Sequence, residues 1–269
     1  NEEAILSYDK ALAINPNYVA AWYNRGFTLR KVGRYEEAIL SYDKALAINP
    51  NKDEILYSRG FALINLGRYE EAVISYDKAL EINPNKDEAL NNRGIALFDL
   101  GRYKEAILSY DKALEIDPNK DEAWYNRGNA LFSLEKHKEA IFSYDKVLEI
   151  NPNKDEAWYN RGNALFGLEK YKEAIFSYDK ALEINPNKDE AWYNRGNALF
   201  SLEKYEEAIF SYDRAVKIKP NKAEAWNNRG IVLYKLGRNE EAIVSYDKAL
   251  EINQNSNEVR NNRRIALRK

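Results

Sequence analysis

The chain of 269 residues has no cysteine, no methionine and a single histidine, His137. Without cysteine there is no disulfide and no thiolate-held metal, although the redox compartment stays open. No apolar run approaches the roughly 18 residues of a membrane-spanning helix, so a soluble, cytoplasmic chain with no membrane partner is expected. Neither charge is in clear excess: 41 basic and 43 acidic residues are interleaved, for a net −2. A nucleic-acid binder would carry a basic stripe; the middle of the chain has none, and nucleic acid is not expected as a partner. A glycine-rich phosphate loop and a Ser/His/Asp set are missing too. Abundant carboxylates sit in recurring Asp-Glu pairs at helix starts, where they favour the helix dipole. The expectation is a protein that is not an enzyme and uses no cofactor or metal.

What the chain does have is a period. Residues 155–188, DEAWYNRGNALFGLEKYKEAIFSYDKALEINPNK, repeat residues 121–154 with only three differences, Ser133, His137 and Val147. Tyr8, Tyr42, Tyr76, Tyr110, Tyr144, Tyr178, Tyr212 and Tyr246 stand 34 apart, as do seven prolines from Pro16 to Pro220. A fixed period of this length means stacked supersecondary units rather than one globular core. His137 stands where other copies carry tyrosine and reads as a packing variant.

Inside one unit, Ala157, Trp158, Arg161, Gly162, Ala164, Leu165 and Leu168 recur at spacings of three and four, and so do Ala174, Ile175, Tyr178, Ala181 and Leu182. These are two amphipathic helices. Pro186 puts Asn185 at the end of the second helix, and Asp189 then reads as an N-cap or first-turn acid of the next unit. The joint inside the unit lies at Glu169-Lys170, where other copies carry Gly33, Gly67, Gly101 and Gly237. Gly162, Ala174 and Ala181 mark the close crossing of the two helices.

An antiparallel helix pair with Trp, Gly, Ala, Tyr, Ala and Pro at these offsets resembles the tetratricopeptide repeat (TPR). The resemblance implies an all-α, right-handed α-solenoid of antiparallel helix pairs, a TPR superhelix. Residues 1–15 read as the second helix of a repeat whose first helix lies upstream, leaving Ala4, Tyr8 and Ala11 without their usual partner. Seven complete units follow over 20–256 (20–52, 53–86, 87–120, 121–154, 155–188, 189–222, 223–256). Residues 257–269 form a polar capping helix, with Arg260 at the Trp position and Arg264 at the close-crossing Gly position. As an alternative, Arg260, Arg263, Arg264, Arg268 and Lys269 make a basic docking site.

Each first helix has one face left over after packing. Asn24, Asn92, Asn126, Asn160, Asn194, Asn228 and Asn262 hold one position of that face, with Ser58 the exception. Asparagine is a poor interior helix residue, costing roughly 0.5 kcal/mol relative to alanine, yet its amide can bond a peptide N–H and C=O together. This resembles the asparagine ladder of superhelical TPR arrays that hold long extended peptides in a concave groove. A second row, Asn129, Asn163 and Asn197, is flanked by Tyr125, Tyr159, Tyr193 and by Phe132, Phe166, Phe200. These central residues are the preferred peptide-binding site. The alternative has the amides bonding neighbouring helices. A TPR carboxylate clamp is disfavoured, because the matching positions hold Glu122, Glu156, Glu190 and tyrosines.

Every first helix also carries an arginine among apolar neighbours, and every second helix an aspartate at one fixed place. A buried charge needs a partner, so an Arg–Asp ladder is expected; otherwise these arginines reach the groove. Leu6, Leu40, Ile74, Leu108, Phe142, Phe176, Phe210 and Val244 sit among charged neighbours and predict an apolar ridge on the convex side. The leading functional expectation is a non-catalytic protein–protein interaction scaffold for extended peptide segments. A presenting arm of a larger multidomain enzyme and an array with weak head-to-tail self-association are the alternatives.

Overall fold

The computed structural model describes residues 1–268; Lys269, counted above in the C-terminal basic group, lies outside them. Two compact units divide the chain, Asn1–Glu135 and the residues from Lys136 onward. The first unit holds α1 (Glu2–Ile14), α2 (Val19–Lys31), α3 (Tyr35–Ile48), α4 (Asp53–Asn65), α5 (Tyr69–Ile82), α6 (Asp87–Asp99), α7 (Tyr103–Ile116) and α8 (Asp121–Ser133). The second holds α9 (His137–Ile150), α10 (Asp155–Gly167), α11 (Tyr171–Ile184), α12 (Asp189–Ser201), α13 (Tyr205–Ile218), α14 (Ala223–Lys235), α15 (Asn239–Ile252) and α16 (Asn257–Ala266).

Both units are all-α solenoids of antiparallel helix pairs. The first helix of a repeat packs most extensively on the second helix of its own repeat, next on the second helix of the preceding repeat, and only lightly on the next first helix. The sequence dictates this order through its small residues. Ala174 and Ala181 are fully buried, and Tyr178 is 1% exposed. A Cβ placed on Gly162 would lie 2.5 Å from Tyr178 Cε1, so only glycine lets the tyrosine ring lie flat against α10. Ala157, Ala164, Leu165 and Leu182 complete the buried set, while Trp158, Leu168 and Ile175 are half-buried.

Two kinds of turn set the register. Between repeats, Asn185 ends α11 in an extended conformation (φ −126°, ψ 86°), as the proline after it requires. Lys188, rather than Asp189, stands at the N-cap of α12, and Asp189 is in the first turn. Its carboxylate is committed elsewhere, accepting from Lys222 Nζ at 2.9 Å in the following linker. Within repeats, Glu169 has φ +59°, and the Lys170 N–H donates to Leu165 O at 3.0 Å, closing a Schellman-type end. Gly33, Gly67, Gly101 and Gly237 adopt the same left-handed conformation, but Glu135, Glu169 and Glu203 adopt it with a side chain attached.

At the first helix of the chain, Ile5 and Leu12 are buried, while Ala4, Tyr8 and Ala11 remain partly exposed. Tyr8 thus differs from Tyr42 and its successors, which are 0–2% exposed.

Candidate functional site

The charges inside the stack are spoken for. Arg161 Nε donates to Asp145 Oδ1 at 2.6 Å on the preceding second helix, and its Nη1 donates to Ser177 Oγ at 2.7 Å on its own second helix. One guanidinium therefore ties three helices together. Its fixed planar fork suits it to this bridging. The Arg–Asp pair recurs at Arg25–Asp9, Arg59–Asp43, Arg93–Asp77, Arg127–Asp111, Arg195–Asp179, Arg229–Asp213 and Arg263–Asp247. The expected ladder is present, and the arginines do not reach out to the free face. The serine arm was not foreseen. Ser41, Ser75, Ser109, Ser211 and Ser245 supply it in other repeats.

A second ladder joins each linker lysine to the first-turn aspartate of the repeat before it: Lys86–Asp53, Lys120–Asp87, Lys188–Asp155 and Lys222–Asp189. Burial works against charge on these aspartates, yet the lysine ammonium together with neighbouring hydrogen bonds outweighs it and holds each carboxyl below its ordinary range.

The asparagines form a network of their own. In the second unit, Asn194 Nδ2 donates to Tyr159 Oη at 3.1 Å and to Asn163 Oδ1 at 2.9 Å, both on the preceding first helix. Asn228 Nδ2 does the same to Tyr193 Oη and Asn197 Oδ1, each at 3.1 Å. Asn163 and Asn197 also accept from the buried hydroxyls of Tyr178 (2.9 Å) and Tyr212 (2.8 Å). In the first unit, Asn92 Nδ2 donates to Tyr57 Oη at 3.2 Å, and Asn126 Nδ2 to Asn91 Oδ1 at 3.4 Å.

These bonds are those of the alternative reading, in which the amides bond neighbouring helices. A primary amide has two N–H donors, and both donors of Asn194 and of Asn228 are used between repeats. What the protein leaves unbonded, among the described residues, is Oδ1 of Asn194 and Asn228 and Nδ2 of Asn163 and Asn197. Acceptor and donor thus come from different asparagines on successive first helices.

The family of this architecture is settled by comparison. A family model described as tetratricopeptide repeat matches residues 19–52, 121–154, 155–188 and 223–256. A further one of that description matches 41–74 and 177–210, and one described as TPR repeat matches 1–33, 62–101, 96–134 and 196–237. The chain belongs to the tetratricopeptide repeat family. No curated protein matches it in sequence. Among solved structures, it is similar to YrrB, described as a TPR protein with an unusual peptide-binding site. The identity is 28% over 72% of this chain and 96% of that one, with a TM-score of 0.61. MamA aligns at 26% identity over 64% of this chain and 94% of its own, TM-score 0.60. The C-terminal part of a TPR repeat-containing protein from Cytophaga hutchinsonii aligns at 19% over 89% and 98%, TM-score 0.76, which bears on the fold alone.

Around the amides of the TPR first helices lie aromatic rings roofed by cations. Lys188 Nζ sits 5.3 Å from the Tyr159 ring centroid and Lys222 Nζ 4.8 Å from that of Tyr193, each lysine still paired with its aspartate. Phe166 and Phe200 pack on Tyr171 and Tyr205 at 5.2 and 5.9 Å. Asn160, on α10, is half-buried in the same row. Tyr125, Asn126, Asn129 and Phe132 lie on α8 in the first unit, where Phe132 is exposed and the others half-buried. The first unit also has a 230 Å³ recess that the sequence did not announce, lined by Tyr23, Phe27, Arg30, Tyr57, Lys86 and Glu88 among others. Arg30 is sandwiched there between the Phe27 and Phe61 rings, at 4.9 and 4.8 Å. The chance of foreseeing it lay in Arg30 alone, a guanidinium flanked by two phenylalanines at one register position of adjacent TPR units.

The outer ridge is present: Leu40 and Leu108 are 64% and 62% exposed, and Phe142, Phe176 and Phe210 a little over half. Lysine lies over part of it, with Lys180 Nζ 5.9 Å from the Phe176 ring. On α16, Arg263 joins the ladder, Arg264 donates to its own helix at Asn261 Oδ1, and Arg260 donates to Gln254 O. Among the described residues there is no group of three or more His, Cys, Asp or Glu placed to hold a metal, and no helix long and apolar enough to cross a membrane.

Proposed function

We propose that this TPR chain is a non-catalytic scaffold that binds extended peptide segments of partner proteins along its first-helix face. The site comprises Tyr159, Asn160, Asn163, Phe166, Tyr193, Asn194, Asn197, Phe200 and Asn228 in the second unit, with Tyr125, Asn126, Asn129 and Phe132 as the corresponding set in the first. The observation that carries this reading is the division of labour among the amides. The unbonded Oδ1 of Asn194 and Asn228 can accept a peptide N–H, and the unbonded Nδ2 of Asn163 and Asn197 can donate to a peptide C=O. An extended backbone presents these groups alternately, so such a face would select conformation more than sequence. The flanking rings add apolar contact. Likeness to YrrB, a TPR protein described with a peptide-binding site, supports the same reading.

A peptide array read against the intact chain tests this. Many unrelated extended sequences are expected to bind. Asn163→Ala with Asn197→Ala, checked by circular dichroism to remain folded, is expected to weaken them together by about thirtyfold, since each of the two lost hydrogen bonds contributes about 1 kcal/mol. Undiminished binding by the folded double variant would refute the assignment.

A further inference from the structure

In five TPR units the first helix carries tryptophan at its fourth position, and each indole makes the same hydrogen bond. Trp22, Trp124, Trp158, Trp192 and Trp226 donate through Nε1 to the carbonyls of Pro16, Pro118, Pro152, Pro186 and Pro220, at 2.8–3.0 Å. The Arg161 guanidinium carbon lies 5.8 Å from the Trp158 ring, and the Phe176 ring meets its edge at 6.0 Å. The α4 and α6 units have Leu56 and Leu90 in that place.

Beside these two leucines are the clefts left open. One, of about 450 Å³, is lined by Pro50, Leu56, Arg59 and Ile74 among others. The second, of about 580 Å³, is lined by Pro84, Leu90, Arg93 and Leu108 among others. Shifted by whole repeats, the proline, arginine and apolar residue of each wall become the neighbours of Trp158: Pro152, Arg161 and Phe176. Leucine has no N–H to give, and among the described residues nothing donates to the Pro50 or Pro84 carbonyl. In α16, where the tryptophan is replaced by Arg260, the guanidinium still donates to the carbonyl six residues back, at Gln254. The position takes a flat N–H donor wherever its own side chain can supply one.

We infer that the two clefts beside Leu56 and Leu90 are binding sites for tryptophan side chains of a partner protein. The indole would enter between consecutive second helices, donate to the Pro50 or Pro84 carbonyl, lie along Arg59 or Arg93, and meet the exposed Ile74 or Leu108 at its edge. This surface is formed by consecutive second helices, the linker and the side of the first helix that carries the leucine and arginine, and its lining contains none of the site asparagines. Its chemistry is already demonstrated by the chain's own five indoles.

The probe is N-acetyl-tryptophanamide, followed by ligand-observed NMR with the intact chain. Saturable binding is expected. N-acetyl-1-methyltryptophanamide, which cannot donate to the proline carbonyl, is expected to bind several-fold more weakly. Leu56→Trp with Leu90→Trp fills both clefts with the residue used elsewhere in the array, and is expected to fold and to lose about tenfold or more of the probe's affinity. Unchanged binding to that double variant would overturn the inference. So would equal binding of the methylated probe, which needs no variant, or tighter binding of N-acetyl-argininamide than of the indole.

Discussion

One substitution, Tyr→Phe at the close-crossing position, should destabilise one repeat and not another. Tyr178 and Tyr42 occupy equivalent sites, are both essentially unexposed, and differ in what their hydroxyls meet. Tyr178 Oη donates to Asn163 Oδ1 at 2.9 Å. At the position of Asn163, the repeat of Tyr42 has Phe27, and the Tyr42 hydroxyl is buried without a partner; Tyr76, opposite Phe61, shares this fate. Ser58 and Asn92 approach these hydroxyls without forming a hydrogen bond of normal geometry. Burial pushes the pKa of all four phenols, Tyr42, Tyr76, Tyr178 and Tyr212, upward, so each hydroxyl keeps its proton at neutral pH. Removing the Tyr178 hydroxyl forfeits one buried hydrogen bond, about 1 kcal/mol; Asn163 Oδ1 keeps its bond from Asn194, so no new orphan arises. Removing the Tyr42 hydroxyl deletes a desolvated group that costs about 1–3 kcal/mol, offset in part by the small void it leaves. Tyr178→Phe should therefore destabilise its repeat, and Tyr42→Phe should leave its repeat unchanged or more stable. Solenoid stability is a sum over neighbouring repeats, so the assay is amide hydrogen exchange resolved by repeat, at α2–α3 and at α10–α11. Destabilisation of similar size at both sites would show that ring packing, and not hydroxyl partnership, governs the position.

Glu169→Gly, and likewise Glu135→Gly and Glu203→Gly, removes a side chain held at φ near +60°, a conformation that costs a non-glycine residue about 1–2 kcal/mol. Part of that gain is lost to the greater freedom of unfolded glycine, so a net stabilisation of about 0.5–1 kcal/mol per site is expected by thermal melting; a lower melting temperature would refute the strain. The Lys–Asp ladder predicts a pH dependence. Asp155 and Asp189 have pKa values below their unfolded ones, so the folded state holds fewer protons; their stabilisation is present above about pH 4 and lost as pH falls further. The melting temperature should fall steeply below pH 4, and Asp155→Asn with Asp189→Asn should flatten that fall; an equally steep fall in the double variant would count against the ladder.

The helices were legible because apolar periodicity and the Asn-Pro linkers are local signals. So was the Arg–Asp ladder, since Arg161 amid alanine, tryptophan and leucine had to find an anion. Ser177 was invisible: a small hydroxyl beside Tyr178 reads as neutral helix, and only the crossing distance turns it into the guanidinium's second acceptor. The amide roles were half legible. A row of asparagines on one helix face announces hydrogen bonding, but whether donors point to a ligand or to the next repeat depends on the gap between first helices. Asp189 is the first-turn acid that one of its two readings expected, but its partner Lys222 is 33 residues away and lies beyond a local rule. The clefts were hidden by chemistry that looks conservative: leucine for tryptophan keeps a position apolar while removing a ring and a donor.

The repeats carrying Asn129, Asn163 and Asn197 are also the ones with glutamate in the left-handed joint. In the repeats of Asn163 and Asn197 that second-row asparagine gives a buried tyrosine its acceptor, Tyr178 or Tyr212, and gives the next first helix a handle, at Asn194 or Asn228. Repeats with Phe27 and Phe61 instead keep a glycine joint and leave the tyrosine hydroxyl unpaired. Each group therefore relieves one local cost and retains another. In the second unit the amides that join successive first helices are the same groups that keep an acceptor or a donor unbonded. A peptide bonded to those groups would polarise a network that already holds the repeats in register, so binding and stacking share atoms there. Ligand that binds only the stacked form must then stabilise it by mass action. The gain should concentrate in exchange protection of α10, α12 and α14, whereas an indole in the clefts would protect α3, α5 and α7.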